Sequence, residues 1–163
     1  MAFVLVRVDD RLIHGQVAVA WGAWLSPEHM ILVNDEVACC DWKCALYADS
    51  DSMGVPVSVV TCEGFAEGLK AGEWDDVRTF LIVEDPRDLL AVIRGGLDVS
   101  EANIGGMHHA EGKRELLPYV FVDDADVAAM KAIMAGGTRL TARDVPQAQP
   151  QDLAVLLRAL GEK

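Results

Sequence analysis

Along the chain, short runs of apolar, β-branched residues alternate with longer stretches in which apolar residues recur every three or four positions. The runs are "FVLVRV", "MILVN", "VPVSVV", "RTFLIV", "EANIG", "YVFV" and "TRLTAR". The stretches between them include "GQVAVAWGAWL", "DEVACCDWKCALYA", "EGFAEGLKAG" and "PRDLLAVIRGG". Near-continuous apolar strands need cover on both faces, and amphipathic helices between them supply it. The pattern therefore predicts an α/β fold with a mostly parallel, doubly wound sheet and helices on both faces. "DDADVAAMKAIMAGG" begins with acidic residues and ends with glycines, as a helix should. "PQDLAVLLRALGEK" reads as a closing amphipathic helix, with "VPQAQP" as the connection before it. No linker, repeat or low-complexity tract interrupts the pattern, so residues 1–163 are expected to form a single domain.

Composition narrows the function. A net charge of -12 argues against a general nucleic-acid binder and against electrostatic attachment to an anionic lipid surface. Any anion site must be built locally. The apolar run at the N-terminus is too short for a signal peptide, and no segment approaches the roughly 20 apolar residues of a membrane span. A cytoplasmic protein is expected, and Cys39, Cys40, Cys44 and Cys62 then read as reduced thiols. Cys40 and Cys44 lie one helical turn apart, but no further ligand follows at metal-binding spacing. Neither a metal nor a cofactor is expected.

The chemistry concentrates in "RVDDRLIHGQV", residues 7–17, directly after the first predicted strand. In an open α/β sheet, sites form beyond the carboxyl ends of the strands, so this loop stands where the architecture puts them. His14 is followed by Gly15, and a helix is expected to begin near Gln16. A helix start offers unpaired N–H groups and partial positive charge to an anion. Gly15 allows close backbone approach or a positive φ. Arg7 and Arg11 can form charge-assisted bonds to phosphate oxygens. Asp9 or Asp10 can orient the imidazole or brace an arginine. With a reference pKa of about 6.5, His14 is largely neutral and has a free lone pair. Together these residues describe a nucleophilic imidazole beside an oxyanion cradle.

This loop closely resembles the histidine-bearing signature of the IIB component in the mannose/fructose/sorbose family of the phosphoenolpyruvate-dependent sugar phosphotransferase system. "ILVNDEVA", "VEDPRDLLAVIRGG" and "ANIGGM" followed by "GK" agree in kind and order, over residues 3 to 145 or so. The resemblance implies that the 163 residues form one IIB domain acting as a protein-histidine–sugar phosphotransferase. On that reading a phosphohistidine of a IIA partner passes its phosphoryl group to His14, on the Nδ1 nitrogen in this family. The group then goes to a sugar entering through the membrane components IIC and IID, with which the cytoplasmic protein associates peripherally. In the family an arginine of the motif contacts the phosphate. Arg11 is the first choice, while Arg7 can equally serve or brace the loop. The alternative is a regulatory phosphohistidine module without a transport role. A nucleotide-binding protein lacks sequence support, since neither GxGxxG after the first strand nor GxxxxGK[ST] occurs.

Asp35, in "NDE" after the second strand, either faces the same edge as His14 or serves the following helix as a cap or dipole partner. Gly105 and Gly106 are candidates to place backbone amides near the phosphate, or form a tight turn only. His108 and His109 depart from the family stretch, which often has an apolar or aromatic residue and a basic one there. Lys113 and Arg114 are candidate docking residues. Trp21 and Trp24 lie one helical turn apart and are expected to be buried against the sheet.

Overall fold

The structure is a computed structural model that describes residues 2–15, 17–48 and 54–161. Its main sheet has seven strands in the order β3-β2-β4-β1-β5-β8-β9. These are β1 (Ala2–Asp9), β2 (His29–Val33), β3 (Val57–Val60), β4 (Arg78–Val83), β5 (Glu101–Gly106), β8 (Arg139–Ala142) and β9 (Gln151–Asp152). All pairings are parallel except β8 with β9, so the predicted doubly wound sheet is the one observed. Two further strands, β6 (Arg114–Leu117) and β7 (Val120–Val122), form a separate antiparallel hairpin. "YVFV" announced β7. Its partner "RELL", charged over its first half, carried no strand signal.

The strands alternate faces, and both faces are packed. In β2, Met30 and Leu32 join one core while Ile31 and Val33 join the other; in β4, Phe80 and Ile82 divide in the same way from Leu81 and Val83. This two-sided burial is why the strands read as unbroken apolar runs. The helices are α1 (Gly22–Leu25), α2 (Asp35–Ala38), α3 (Asp41–Ala48), α4 (Cys62–Ala71), α5 (Pro86–Arg94), α6 (Asp124–Ala135) and α7 (Leu153–Gly161). Local signals fix several of their starts. Thr61 accepts from the Gly64 amide, Asp85 from those of Arg87 and Asp88, and Asp123 forms a reciprocal capping box with Asp126.

Two helical stretches differ from the simple expectation. "DEVACCDWKCALYA" breaks at Cys39–Cys40 into α2 and α3, with Val37 buried and Trp42 and Leu46 exposed. The stretch after the histidine loop begins as a π-helical turn, Val17–Trp21, before α1. That wider turn carries Trp21 beneath the end of β1, where its side chain is buried. Trp24 is exposed, contrary to expectation; burial against the sheet is taken by Trp21 alone of the two. Among the described residues, no helix is long and apolar enough to cross a membrane.

Candidate functional site

β1 lies between β4 and β5 at the centre of the sheet, and its carboxyl end carries the histidine loop. Arg7 and Asp9, two residues apart, point to the same face, opposite Val6 and Val8. Both charged side chains are 0% exposed. Taking two ions out of water is costly unless their hydrogen-bonding groups are met, and here most are. The Arg7 guanidinium donates to Asp9 Oδ2 at 2.9 Å, Asn103 Oδ1 at 2.5 Å, and the carbonyls of Arg143 and Asp144 at 3.0 and 3.1 Å. It also lies 4.9 Å above the centre of the Trp21 ring. Burial lowers its pKa against the opposing pull of Asp9, yet an arginine stays charged. Arg7 is therefore walled in and holds Asp9. It was anticipated either to serve a phosphate or to brace the loop; in this structure its guanidinium is buried against Asp9.

Gly105 has its reason in the same contact. A β carbon built there would stand 1.7 Å from Arg7 Cζ, so the position must lack a side chain for the guanidinium to fit. Gly105 was a candidate either to place an amide near the phosphate or to form a tight turn; what the structure adds is that it makes room for Arg7. It is also the extra residue in the register, since Val8 pairs with Ile104 and Asp9 with Gly106. Such a bulge re-aims the following side chains. Gly106 lies directly below the site, where a β carbon would come within 3.2 Å of Asp9 Oδ1 and 3.3 Å of Arg11 Nη2.

Asp9 is the hub. Besides Arg7, it accepts from the Arg11 amide at 3.2 Å, Arg11 Nε at 3.1 Å and Arg11 Nη2 at 3.3 Å. Burial alone would raise the Asp9 pKa, but the hydrogen bonds and charge of Arg11, with the charge of Arg7, outweigh it and hold the carboxyl below its usual value. The Arg11 side chain is 36% exposed, and its Nη1 has no partner among the described residues. Arg7 and Arg11 thus share one carboxylate from opposite sides, one sealed and one open.

Between Arg11 and His14 the chain makes a strained turn. Leu12 has φ of 59°, in the left-handed region that non-glycine residues avoid, and its amide donates to the Asp9 carbonyl at 2.9 Å. Burial of the Leu12 side chain beside Trp21, Val37 and Ile82 compensates for that strain. Gly15, in contrast, does not have a positive φ, and among the described residues nothing beyond its chain neighbours lies within 4 Å of where a β carbon would stand. Gln16 lies outside the described residues.

The turn returns His14 over Asp9. Nε2 stands 3.5 Å from Asp9 Oδ2, at the long limit of a hydrogen bond, and the side chain is 22% exposed. A carboxylate only accepts, so this contact favours the tautomer with the proton on Nε2. Nδ1 then keeps its lone pair and has no partner among the described residues. Burial pushes the His14 pKa below its ordinary value; Asp9 pulls it up, and Arg11 and Arg7 push it down. The ring is accordingly neutral near physiological pH. Chemically, the arrangement is a neutral imidazole with one oriented and one free nitrogen, beside a partly exposed guanidinium.

The other candidates divide. Asp10 joins the loop to the end of β5, accepting from the His108 amide and ring Nδ1, each at 2.6 Å. Asp35 does not cap α2. Asn34 does so, accepting from the Val37 amide at 2.9 Å, while Asp35 accepts from the Cys62 amide at 2.7 Å. Lys113 and Arg114 pair with Asp126 and Asp124 at 2.9 and 2.8 Å, so Lys113 anchors a buried carboxylate instead of standing ready for a partner. Arg143 and Asp144 were missed by sequence reasoning. Their contribution is through backbone carbonyls, which any residue could supply, and Arg143 also stacks between Trp21 and Trp24 at 4.8 and 5.2 Å.

Residues 3–163 match the family model described as PTS system sorbose subfamily IIB component. The chain is 32% identical to the PTS system sorbose-specific EIIB component of Klebsiella pneumoniae, over 89% of this chain and 88% of that protein. It is 33% identical to the PTS system mannose-specific EIIAB component of Escherichia coli K12, covering 94% of this chain but 48% of that longer protein. Among solved structures, the IIBSor domain of the sorbose permease from Klebsiella pneumoniae superposes with a TM-score of 0.91, at 29% identity and 98% coverage of each chain.

Proposed function

This chain belongs to the sorbose subfamily of IIB components of the sugar phosphotransferase system, and from that premise we propose that it accepts and releases a phosphoryl group on Nδ1 of His14. The observation that carries this reading is the wholly buried Asp9 carboxylate beside His14 Nε2, which leaves Nδ1 as the nitrogen with a free lone pair. In the first step the N–P bond of a phosphohistidine on a IIA partner breaks as the bond to His14 Nδ1 forms, and the donor ring recovers its lone pair. The proton on His14 Nε2 stays where Asp9 holds it. In the second step, at membrane components IIC and IID, the His14 N–P bond breaks as a sugar hydroxyl oxygen bonds to phosphorus, the electron pair returning to Nδ1 and the hydroxyl proton passing to solvent. The mannose-specific relative, named EIIAB, supports the IIA assignment.

Phosphoryl transfer spreads negative charge over the equatorial oxygens, so positioned cations do most of the stabilising. Arg11 suits that role, because Asp9 holds two of its side-chain nitrogens and Nη1 remains to meet an oxygen. Arg7 acts one layer below, keeping Asp9 ionised and in place. The open space at Gly15 gives the phosphoryl group close access to the backbone. Residues 1–163 work together as one IIB domain at the cytoplasmic face of the transporter.

The test is phosphoryl transfer from labelled phosphoenolpyruvate through the general carrier proteins and IIA. The expected product carries acid-labile, alkali-stable phosphate. His14→Ala should abolish it, while His29→Ala, His108→Ala and His109→Ala should each still become labelled. Retained labelling in the His14 variant would reject the assignment.

A further inference from the structure

We propose that His108 is a positioning residue for phosphoryl transfer, acting on the histidine loop through Asp10; the proposal rests on the reading of His14 as acceptor. The loops after β1 and β5 are far apart in sequence and meet at one carboxylate. Asp10 Oδ2 accepts the His108 backbone N–H at 2.6 Å, and Oδ1 stands 2.6 Å from His108 Nδ1. Because a carboxylate donates nothing, His108 Nδ1 carries the proton in this contact. The Asp10 amide donates to the Gly106 carbonyl at 3.0 Å. One residue of the histidine loop is thus tied to the end of β5 through both its side chain and its backbone.

The anchor itself is firm. Met107, next to His108, donates to the Tyr119 carbonyl at 2.9 Å and accepts from the Phe121 amide at 2.8 Å. His109 packs edge-on against Phe121, with ring centres 5.4 Å apart. The loop on the other side of the tie is strained, with Leu12 in a left-handed conformation. Such a conformation persists only where its surroundings over-determine it. Asp10 lies between Asp9 and Arg11, the two residues that face the acceptor ring. Removing the His108 ring takes away one of the bonds that hold Asp10 and loosens this segment, while the bonds from the His108 amide and to the Gly106 carbonyl remain. The 3.5 Å contact between Asp9 and His14 Nε2, already at the limit, is the first to be lost.

Exposure argues that the tie is geometric in purpose. The His108 side chain is 60% exposed and that of Asp10 29%, and a hydrogen-bonded pair so open to water adds little to global stability. What it changes is the fraction of time the loop spends with the His14 proton fixed on Nε2.

Three readouts separate positioning from docking and from folding: the single-turnover rate at saturating phosphorylated IIA, the half-saturating IIA concentration, and the ¹⁵N shifts of the His14 ring. For His108→Ala we expect a saturating rate about three- to tenfold lower, from loss of one solvent-exposed hydrogen bond, with the half-saturating concentration held within about twofold. The ring shifts should move from the Nε2–H tautomer toward a mixture. His108→Asn keeps an N–H donor near the Nδ1 position and should return the rate to within about twofold of the original. The proposal is overturned if His108→Ala leaves rate and tautomer unchanged, if its loss lies in the half-saturating concentration, or if the Asn variant is as slow as the Ala variant. Failure of the unaltered protein to be labelled on His14 would instead remove the phosphocarrier reading, and this proposal with it.

Discussion

The carboxyl ends of β1 and β2 look alike in sequence, each a polar cluster between an apolar strand and a helix, yet they are built for different ends. At β2, Asn34 turns the chain straight into α2 and caps it, its amide nitrogen meets Glu84 at 2.5 Å, and Asp35 ties down the Cys62 amide. These bonds hold backbone and side chains in place. At β1, the chain instead runs through a strained loop before helix resumes at Val17, with a buried ion pair beneath it. That pair holds Arg11 and His14 while leaving Arg11 Nη1 and His14 Nδ1 unengaged among the described residues. Polar density at a strand end therefore does not mark a site.

Neutralising the hub puts this contrast under the greatest stress. Asp9→Asn leaves Arg7 buried without its counter-charge and should cost about 3–5 kcal/mol of stability, with transfer to His14 falling together with it. Denaturant unfolding would measure the first and single-turnover labelling the second; an unfolding midpoint like that of the original protein would show that the buried pair is not what holds the loop.

Arg11→Ala tests the open side of the hub. Loss of a charge-assisted contact to the transferring group should slow labelling by an amount equivalent to about 1.5–3 kcal/mol, with a far smaller change in stability than for Asp9→Asn. It should also shift the titration of His14. Arg11 is one of the charges that push the His14 pKa down, so its removal should let that pKa rise. The neutral, accepting ring would then be lost at a higher pH on acidification. A ¹⁵N titration showing no upward shift would separate Arg11 from the ring.

A milder change is expected at β2. Asn34→Ala removes the cap of α2 and should cost about 1 kcal/mol of stability, while the rate of labelling at saturating donor stays unchanged. A slowed transfer step would mean that the β2 end shares in the chemistry, and the contrast drawn between the two ends would fail.

Much of this was legible along the chain. Alternating parity in "FVLVRVDD" already places Arg7 and Asp9 on one face, and the position of the loop after the first strand marks the site. Helix starts at Asp85 and Asp123 follow from local capping chemistry. Other assignments had no local signal. Which arginine is sealed depends on Trp21, on Asn103, and on two carbonyls of residues 143 and 144, more than 130 positions away. A carbonyl contact leaves no trace in residue identity. That Gly105 must lack a side chain for the Arg7 guanidinium to fit had no local signal either. Trp24 fits an inward helical stripe only if the stripe is regular, and the π-helical turn before it alters that register.

The order of residues was thus enough to set the alternation of strand and helix and the face of each side chain along β1, and to single out the histidine loop as the candidate site. These depend on backbone periodicity and on groups a few residues apart. It took the folded arrangement to make Arg7 the brace and leave Arg11 open, to turn Nε2 of His14 to Asp9, and to bring Asp10 to His108. Those outcomes depend on which distant groups exclude water from a charge, and the energy of an ion changes far more with its surroundings than with its neighbours along the chain.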